Sequence, residues 1–217
     1  HLMNHPQTNH AVILSAARTP IGRFQGALSG LSPVDLGVTA VRAALARARL
    51  PDLAAIDEVL IGNVVSAGLG QNVARQVAIG AGVPASVGAL TINKVCGSSL
   101  KAVMLAAQAI RAGDGHLFVA GGVESMSRAP HLVDGRSNQL RYGHANLRDA
   151  LLVDGLWCPF ENWAMGNAAE FIADEYGITR AEMDRYALAS QQKAVAASDG
   201  GKFDAEIVAV TTVDRKG

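Results

Sequence analysis

The chain has 217 residues, of which 49% are hydrophobic and 18% are charged. This composition supplies enough apolar side chains for a substantial core and excludes a disordered chain. Lys plus Arg and Asp plus Glu number 19 each, so the formal net charge is zero. A nucleic-acid-binding protein is therefore not predicted, because such proteins normally carry a basic excess.

Continuous apolar runs alternate with helical patterns along the first part of the chain. The apolar runs are typical of strands buried on both faces of a sheet, and they lie at 11–17, 58–65, 90–93 and 117–120. Helical periodicity predicts helices from residue 33 until Pro51, over 72–79 and over 98–112. Strands and helices that alternate at this spacing predict an α/β fold with helices on both faces of the sheet.

The first predicted helix has clear signals at both ends. Ser32 is placed to cap it, Pro33 occupies its first position, and Asp35 lies near the positive end of the helix dipole. Pro51 ends the helix, because proline cannot continue it. We therefore expect this helix to be well defined.

Beyond residue 123 the regular alternation stops. The stretch 124–167 is polar and contains glycine, and a loop of that length in a compact chain is usually functional or an insertion. Helical signals return at 168–176 and again at Thr179, where Glu182 completes a capping box for a helix to about Ala197. The apolar segment 205–213 predicts a further strand.

These patterns divide the chain into three parts. Residues 1–10 are polar, lack the apolar core of a signal peptide and begin with a His-Leu pair that resembles a vector remnant, so they predict a disordered extension. Residues 11–123 predict an N-terminal α/β core, and 124–217 an inserted loop domain before the chain ends. No apolar run approaches the roughly 18 residues that a membrane-spanning helix needs.

The cysteine and histidine patterns predict neither disulfides nor a metal site. Cys96 and Cys158 form no C-x-x-C pair and no disulfide framework, which predicts a reducing, cytoplasmic compartment. His116 and His131 lack the spacing of metal ligands and are expected at the surface.

Cys96 is placed at a predicted strand-to-helix junction. It follows the strand 90–93 and precedes a helix that begins near Ser98. Free N–H groups and the positive end of the helix dipole meet at such a point, where they stabilise a thiolate and can receive an oxyanion. Cys96 is therefore a candidate nucleophile. The alternative is a small apolar side chain in the core, which is common for cysteine.

The helix after Cys96 is predicted to be buried on all sides. Apolar residues recur at i, i+3, i+4 and i+7 and form a stripe along one face; they are Leu100, Val103, Met104 and Ala107. The other side carries only small residues, namely Ala102, Ala106 and Ala109.

Residues 92–103, which read I-N-K-V-C-G-S-S-L-K-A-V, resemble the acyl-enzyme cysteine motif of the thiolases. Further stretches resemble the same family in a consistent order. They are S-A-A-R-T-P-I-G at 15–22, G-G-V-E-S-M-S at 121–127, M-G-N-A-A-E at 165–170 and A-S-Q-Q-K-A at 189–194. The resemblance runs from about residue 11 to the end of the chain.

This resemblance implies a fold and a reaction. Thiolases pair two similar halves, each with a mixed five-stranded sheet, around central helices, and this chain would be the N-terminal half with part or all of the inserted loop domain. They move acyl groups between coenzyme A thioesters through a cysteine acyl-enzyme. They then form a carbon–carbon bond by Claisen condensation or, in reverse, cleave a 3-ketoacyl-CoA. The thioester is a substrate, so no cofactor is implied.

The resemblance also assigns site residues. Cys96 corresponds to the nucleophile, and its backbone N–H to one donor of an oxyanion hole. Leu156 and Met165 match positions that line the pantetheine channel, with ordinary packing as the alternative for both. Family members are homodimers or homotetramers, and the strand at 89–93 corresponds to an edge that meets its twin.

The other catalytic groups of the family come from a second half. These are a histidine in a Gly-His-Pro motif, an asparagine that holds a water and a second cysteine before a glycine-rich turn. His144 and Cys158 lie in the wrong context to replace them. The sequence thus predicts a truncated product or an excerpt of an acetyl-CoA acetyltransferase, inactive alone and with apolar surface exposed.

Two other functions stay open. One is a long-chain 3-ketoacyl-CoA thiolase of fatty-acid degradation, because Ala164 stands where many biosynthetic members have a histidine. The other is a non-catalytic assembly module with the thiolase fold. The ligand that the resemblance implies is acetyl-CoA or another acyl-CoA, and no membrane partner is predicted.

Overall fold

The structure is a computed structural model that describes residues 10–133 and 142–212. The chain divides into two compact units. The first unit runs to Ala129 and resumes at Val208, and the second is Pro130–Ile207. The predicted extension, apart from His10, lies outside the described residues. The predicted inserted domain contains the second unit within its bounds.

A parallel three-stranded sheet lies at the centre of the first unit. Its strands are β1 (Glu58–Gly62), β2 (Gly88–Ile92) and β3 (Phe118–Gly122), in the order β2-β1-β3. β1 pairs residue by residue with both neighbours, so the carboxyl ends of all three strands are level. These three strands all run parallel to one another, whereas the resemblance implies a sheet of mixed parallel and antiparallel strands.

Helices cover both faces of this sheet, which confirms the predicted α/β class. They are α1 (Pro33–Ala48), α2 (Val73–Ala81) and α3 (Ser98–Ala112). Val59 and Ile61 of β1 pack with residues of α1 and α2 in the larger core cluster. Leu60, which points to the opposite face, packs with Ala102 of α3 in a second cluster.

Local signals set the helix ends. Ser32 and Asp35 form the capping box of α1: the Ser32 hydroxyl accepts the Asp35 N–H at 3.1 Å, and the Asp35 carboxylate accepts the Ser32 N–H at 2.9 Å. The Ser32 hydroxyl also donates to the Asp35 carboxylate at 2.7 Å, and this bond, together with the one from the Ser32 N–H, lowers the pKa of Asp35. Asn72 caps α2 through the Arg75 N–H, and Gly82 ends it in a left-handed conformation.

Two strand predictions are wrong. The segment 11–17 forms no strand, and its Val12, Ile13 and Leu14 are exposed. At its end a backbone bond of 2.9 Å joins the Val208 N–H to the Arg18 carbonyl. In the described part of 205–213, Ile207 is an isolated bridge residue and the rest is turn and coil. An apolar run forms a strand only where a neighbouring strand takes its backbone groups, and the described residues of both segments belong to none of the sheets.

The second unit combines two short hairpins with two helices. The strands are β4 (His131–Leu132), β5 (Arg148–Asp149), β6 (Trp157–Cys158) and β7 (Trp163–Ala164). β4 pairs with β5, and β6 pairs with β7, both antiparallel. Part of the stretch that was predicted as a loop therefore forms β-strands.

The helices of this unit are α4 (Met165–Glu175) and α5 (Arg180–Asp199). α4 begins earlier than predicted, because the Asn167 side chain accepts the Ala164 N–H at 3.3 Å. The predicted capping box of Thr179 and Glu182 opens α5. The rings of Trp163 and Phe171 lie 5.5 Å apart and join the second hairpin to α4.

Asp57 joins the segments that precede β1 and β3, at the amino-terminal end of the sheet. Its carboxylate accepts the N–H groups of His116 at 2.6 Å and Leu117 at 2.9 Å, and these bonds lower its pKa below the ordinary value of 3.8. A carboxyl group whose pKa is lower in the folded state stabilises the fold at any pH above its unfolded-state pKa. This stabilisation is lost as the pH falls through the folded-state pKa.

We therefore expect Asp57→Asn to lower the free energy of unfolding at pH 7 by about 1 kcal/mol, a small effect because solvent screens this exposed group. Urea denaturation of both chains should show the difference shrinking as the pH falls below about 4. A difference that is constant with pH would show that the carboxylate charge is not involved.

Candidate active site

Cys96 lies just beyond the carboxyl end of the parallel sheet. β2 ends at Ile92, the chain turns through Asn93 to Gly97, and α3 begins at Ser98. The Cys96 side chain is exposed. It is therefore not a core cysteine, and its thiol is open to a reactant.

Two side chains hold the turn that carries Cys96. The Asn93 side-chain oxygen accepts the Val95 N–H at 2.9 Å. The Ser98 hydroxyl, which is buried, accepts the Lys94 N–H at 2.8 Å and donates to the Val95 carbonyl at 2.6 Å. Lys94 and Val95, the two residues before Cys96, are thus held by local hydrogen bonds.

The residue before Cys96 adopts a strained conformation. Val95 has a φ of 46°, in the left-handed region that β-branched residues avoid. Such a residue costs about 1–3 kcal/mol and persists only where its surroundings enforce it, which is most common at functional sites. The bonds from Asn93 and Ser98 supply that enforcement.

The first turn of α3 presents unpaired donors beside the cysteine. Gly97 is the N-cap residue and has no side chain to cap the helix. In the described part of the chain, the N–H groups of Cys96, Ser99 and Leu100 donate to no protein atom. Together with the helix dipole, they can stabilise a thiolate or the oxyanion of an acyl-transfer intermediate.

Glycines at two strand ends let α3 approach the sheet this closely. A Cβ on Gly62, the last residue of β1, would lie 2.6 Å from backbone atoms of Ser98 and Ser99. A Cβ on Gly122, the last residue of β3, would lie 2.7 Å from the Ser99 side chain. The helix end that positions Cys96 therefore requires glycine at these strand ends.

Leu156 and Met165 lie in the second unit, and Cys96 lies in the first. Trp157 pairs with Ala164 in the second hairpin, and Leu156 and Met165 are the residues next to this pair along the chain. Leu156 ends a π-helix, Leu151–Leu156, and Met165 begins α4. Both side chains are partly exposed, at 39% and 44%.

The remaining candidate residues are three exposed histidines and a half-buried cysteine. His116 is exposed and bonds to Asp57 at the edge of the sheet opposite Cys96. His131 and His144 are exposed in the second unit. Cys158 is half-buried and pairs with Trp163. Over the described ranges, no cluster of three or more His, Cys, Asp or Glu residues is arranged to hold a metal ion.

Residues 11–217 match the family model described as thiolase, N-terminal domain. The chain belongs to the thiolase family. It is 51% identical over 206 residues to an acetyl-CoA acetyltransferase of Pseudomonas aeruginosa, and 54% identical over 207 residues to one of Cupriavidus necator. Each match covers 95% of this chain and 52% of the relative. The chain thus spans about half the length of these relatives.

The fold of this thiolase chain matches a solved thiolase structure. The Acat5 thiolase of Ascaris suum, determined in complex with coenzyme A, has a TM-score of 0.86 and 46% sequence identity to it. The match covers 91% of this chain and 51% of that one. The resemblance and fold class predicted from the sequence are therefore confirmed.

Among the described residues, no helix has the length and apolar character that a bilayer crossing demands.

The prediction that α3 is buried on all sides is wrong. Its small residues, Ala102 and Ala106, face the sheet, because small side chains allow the helix to pack close to the strands. The larger side chains point outward: Leu100 is 65% exposed, and Val103 and Met104 are also exposed. The apolar stripe of α3 is therefore uncovered in this chain.

Sequence reasoning missed two features of the thiolase site. The sequence did not show that the Ser98 hydroxyl fixes the turn before Cys96. The role of Gly62 was not predicted, since a single glycine at a strand end gives no signal of which helix approaches it.

Proposed function

We propose that this thiolase chain is the N-terminal half of an acetyl-CoA acetyltransferase and that Cys96 is its nucleophile. The observation that carries the proposal is an exposed cysteine beside unpaired N–H groups at the start of α3. Relatives named acetyl-CoA acetyltransferase, at 51% and 54% identity, support the short acyl group over a long-chain substrate.

The first half-reaction forms an acyl-enzyme. The Cys96 thiolate attacks the carbonyl carbon of acetyl-CoA, and the carbonyl oxygen becomes an oxyanion that the Cys96 N–H is placed to bind. The new Sγ–carbon bond remains while the carbon–sulfur bond to coenzyme A breaks. Coenzyme A leaves as a thiolate and takes a proton, and Cys96 carries the acetyl group as a thioester.

The second half-reaction forms the carbon–carbon bond. A second acetyl-CoA loses an α-proton, and its α-carbon attacks the acetyl group on Cys96. The product is acetoacetyl-CoA, and the Cys96 thiolate is restored. The resemblance places the histidine, asparagine and second cysteine for these proton transfers in the other half of the protein. Thiolysis runs the same steps in reverse.

The same proposal assigns supporting roles. Leu156 and Met165 present partly exposed apolar side chains at one end of a hairpin, which suits contact with the pantetheine arm of coenzyme A. β2 is an edge strand of its sheet, and Leu90 on it is exposed, which supports an edge-to-edge homodimer or a homotetramer. A nucleophile that must stay a free thiol supports a cytoplasmic location.

Alkylation kinetics test the nucleophile. With iodoacetamide near neutral pH, we expect Cys96 to react at least about tenfold faster than Cys158 in the same molecules, because Cys96 is exposed and precedes a helix start with unpaired N–H groups. Peptide mass spectrometry after timed quenching reads both rates. Equal rates would support the non-catalytic assembly module instead.

A further inference from the structure

A buried asparagine joins the carboxyl ends of all three strands in the first unit. Asn63 follows β1, and its backbone N–H donates to the Ile92 carbonyl at the end of β2, at 3.0 Å. Its side-chain amide donates to the Val123 carbonyl, just after β3, at 3.2 Å. Ile92 is the last residue before the turn that carries Cys96, so Asn63 connects that turn to the rest of the sheet.

Glu124 completes this connection from the β3 side. One carboxylate oxygen accepts the Asn63 side-chain amide at 3.0 Å and the Val65 N–H at 3.3 Å, and the other accepts the Val64 N–H at 2.9 Å. The carboxylate thus takes three N–H donors from the segment that leaves β1. A shorter or uncharged side chain would lose part of this set.

The orientation of the Asn63 amide costs stability. Its nitrogen faces two acceptors, so its oxygen is turned away, and that buried oxygen has no hydrogen-bond partner among the described residues. Asn63 is 2% exposed. A buried acceptor without a partner is destabilising, and a packing role would be met better by an apolar side chain. Such exceptions are expected where function requires them.

We propose that Asn63 and Glu124 are positioning residues that fix the Cys96 turn through the ends of β1 and β3. They do not touch the reacting atoms. They hold Ile92, and the turn from Ile92 keeps the Cys96 thiolate beside the N–H groups of α3. This role rests on the proposed function of Cys96.

Two readouts on the 217-residue chain test the proposal. In Glu124→Gln the amide NH2 faces backbone donors, so hydrogen exchange in the peptide 92–100 should be faster by about fivefold or more. The alkylation rate of Cys96 relative to Cys158 should fall by about threefold or more, because the loosened turn moves the thiolate away from the helix N–H groups.

Asp57→Asn is the matched control. It also removes a carboxylate that accepts two backbone N–H groups, but at the opposite edge of the sheet. It should leave both the exchange of 92–100 and the alkylation ratio unchanged. If Glu124→Gln does not fold, Asn63→Ala is measured in its place, since it keeps the bonds of Glu124 to the two valine N–H groups.

The two readouts separate this proposal from the proposed function. Unchanged exchange at 92–100, or equal effects of Glu124→Gln and Asp57→Asn, would overturn the positioning role whatever Cys96 does. Equal alkylation of Cys96 and Cys158 in the unmodified chain would instead overturn the nucleophile.

Discussion

Replacing Cys96 with alanine should lower kcat for acetoacetyl-CoA thiolysis by about 10⁴-fold or more, in a protein that carries this chain and its second half. No other described side chain near the start of α3 can accept an acyl group as a thioester. The measurement is steady-state thiolysis, followed by loss of acetoacetyl-CoA absorbance. The acyl-enzyme is sought in parallel by mass spectrometry of the 92–101 peptide after incubation with acetyl-CoA.

Cys158→Ala is the matched control for this substitution. Cys158 is half-buried in a hairpin and carries no proposed role, so kcat should stay within about twofold. The 217-residue chain alone should show no turnover, because the proposed proton-transfer groups lie in the other half. Substantial thiolysis by the Cys96→Ala protein would show that another group is the nucleophile, whereas no thiolysis by the unmodified protein would favour the non-catalytic assembly module.

Features encoded by neighbouring residues could be predicted from the sequence. The cap at Ser32 and the capping box at Thr179 each need only side chains that are close in sequence, and both form as predicted. The junction that carries Cys96 is also local, since it needs only the end of one strand and the start of the next helix. Its position was therefore predicted to within a residue or two.

Features that depend on distant partners could not be predicted. The apolar run at 11–17 has the composition of a strand, but composition does not show whether a neighbouring strand is present to pair with it. The exposed side of α3 has the same cause. Periodicity identifies the stripe of Leu100, but which side meets the sheet is decided by the small residues that permit close approach.

The strain at Val95 shows why the site itself was only partly predictable. No residue type at that position signals a left-handed conformation, because valine disfavours it. The conformation follows from bonds that Asn93 and Ser98 make to the turn, and from strand ends that lie far apart in sequence.

Gly62→Ala is expected to have the largest effect on stability, with the free energy of unfolding lower by about 2–3 kcal/mol. The new Cβ would lie 2.6 Å from the Ser98 carbonyl carbon and the Ser99 nitrogen, which are backbone atoms and cannot rotate away. The first turn of α3 must therefore move. Urea denaturation measures the loss, and iodoacetamide rates report whether Cys96 also loses reactivity relative to Cys158.

Gly121→Ala provides the control, one strand away. Gly121 pairs with Ile61, and a Cβ built there meets no atom within 4 Å, so the substitution should change stability by less than about 1 kcal/mol. Equal losses in the two variants would mean that strand glycines matter here only for chain flexibility. A larger loss in Gly62→Ala, accompanied by slower alkylation of Cys96, would show that the close contact between β1 and α3 is what places the cysteine.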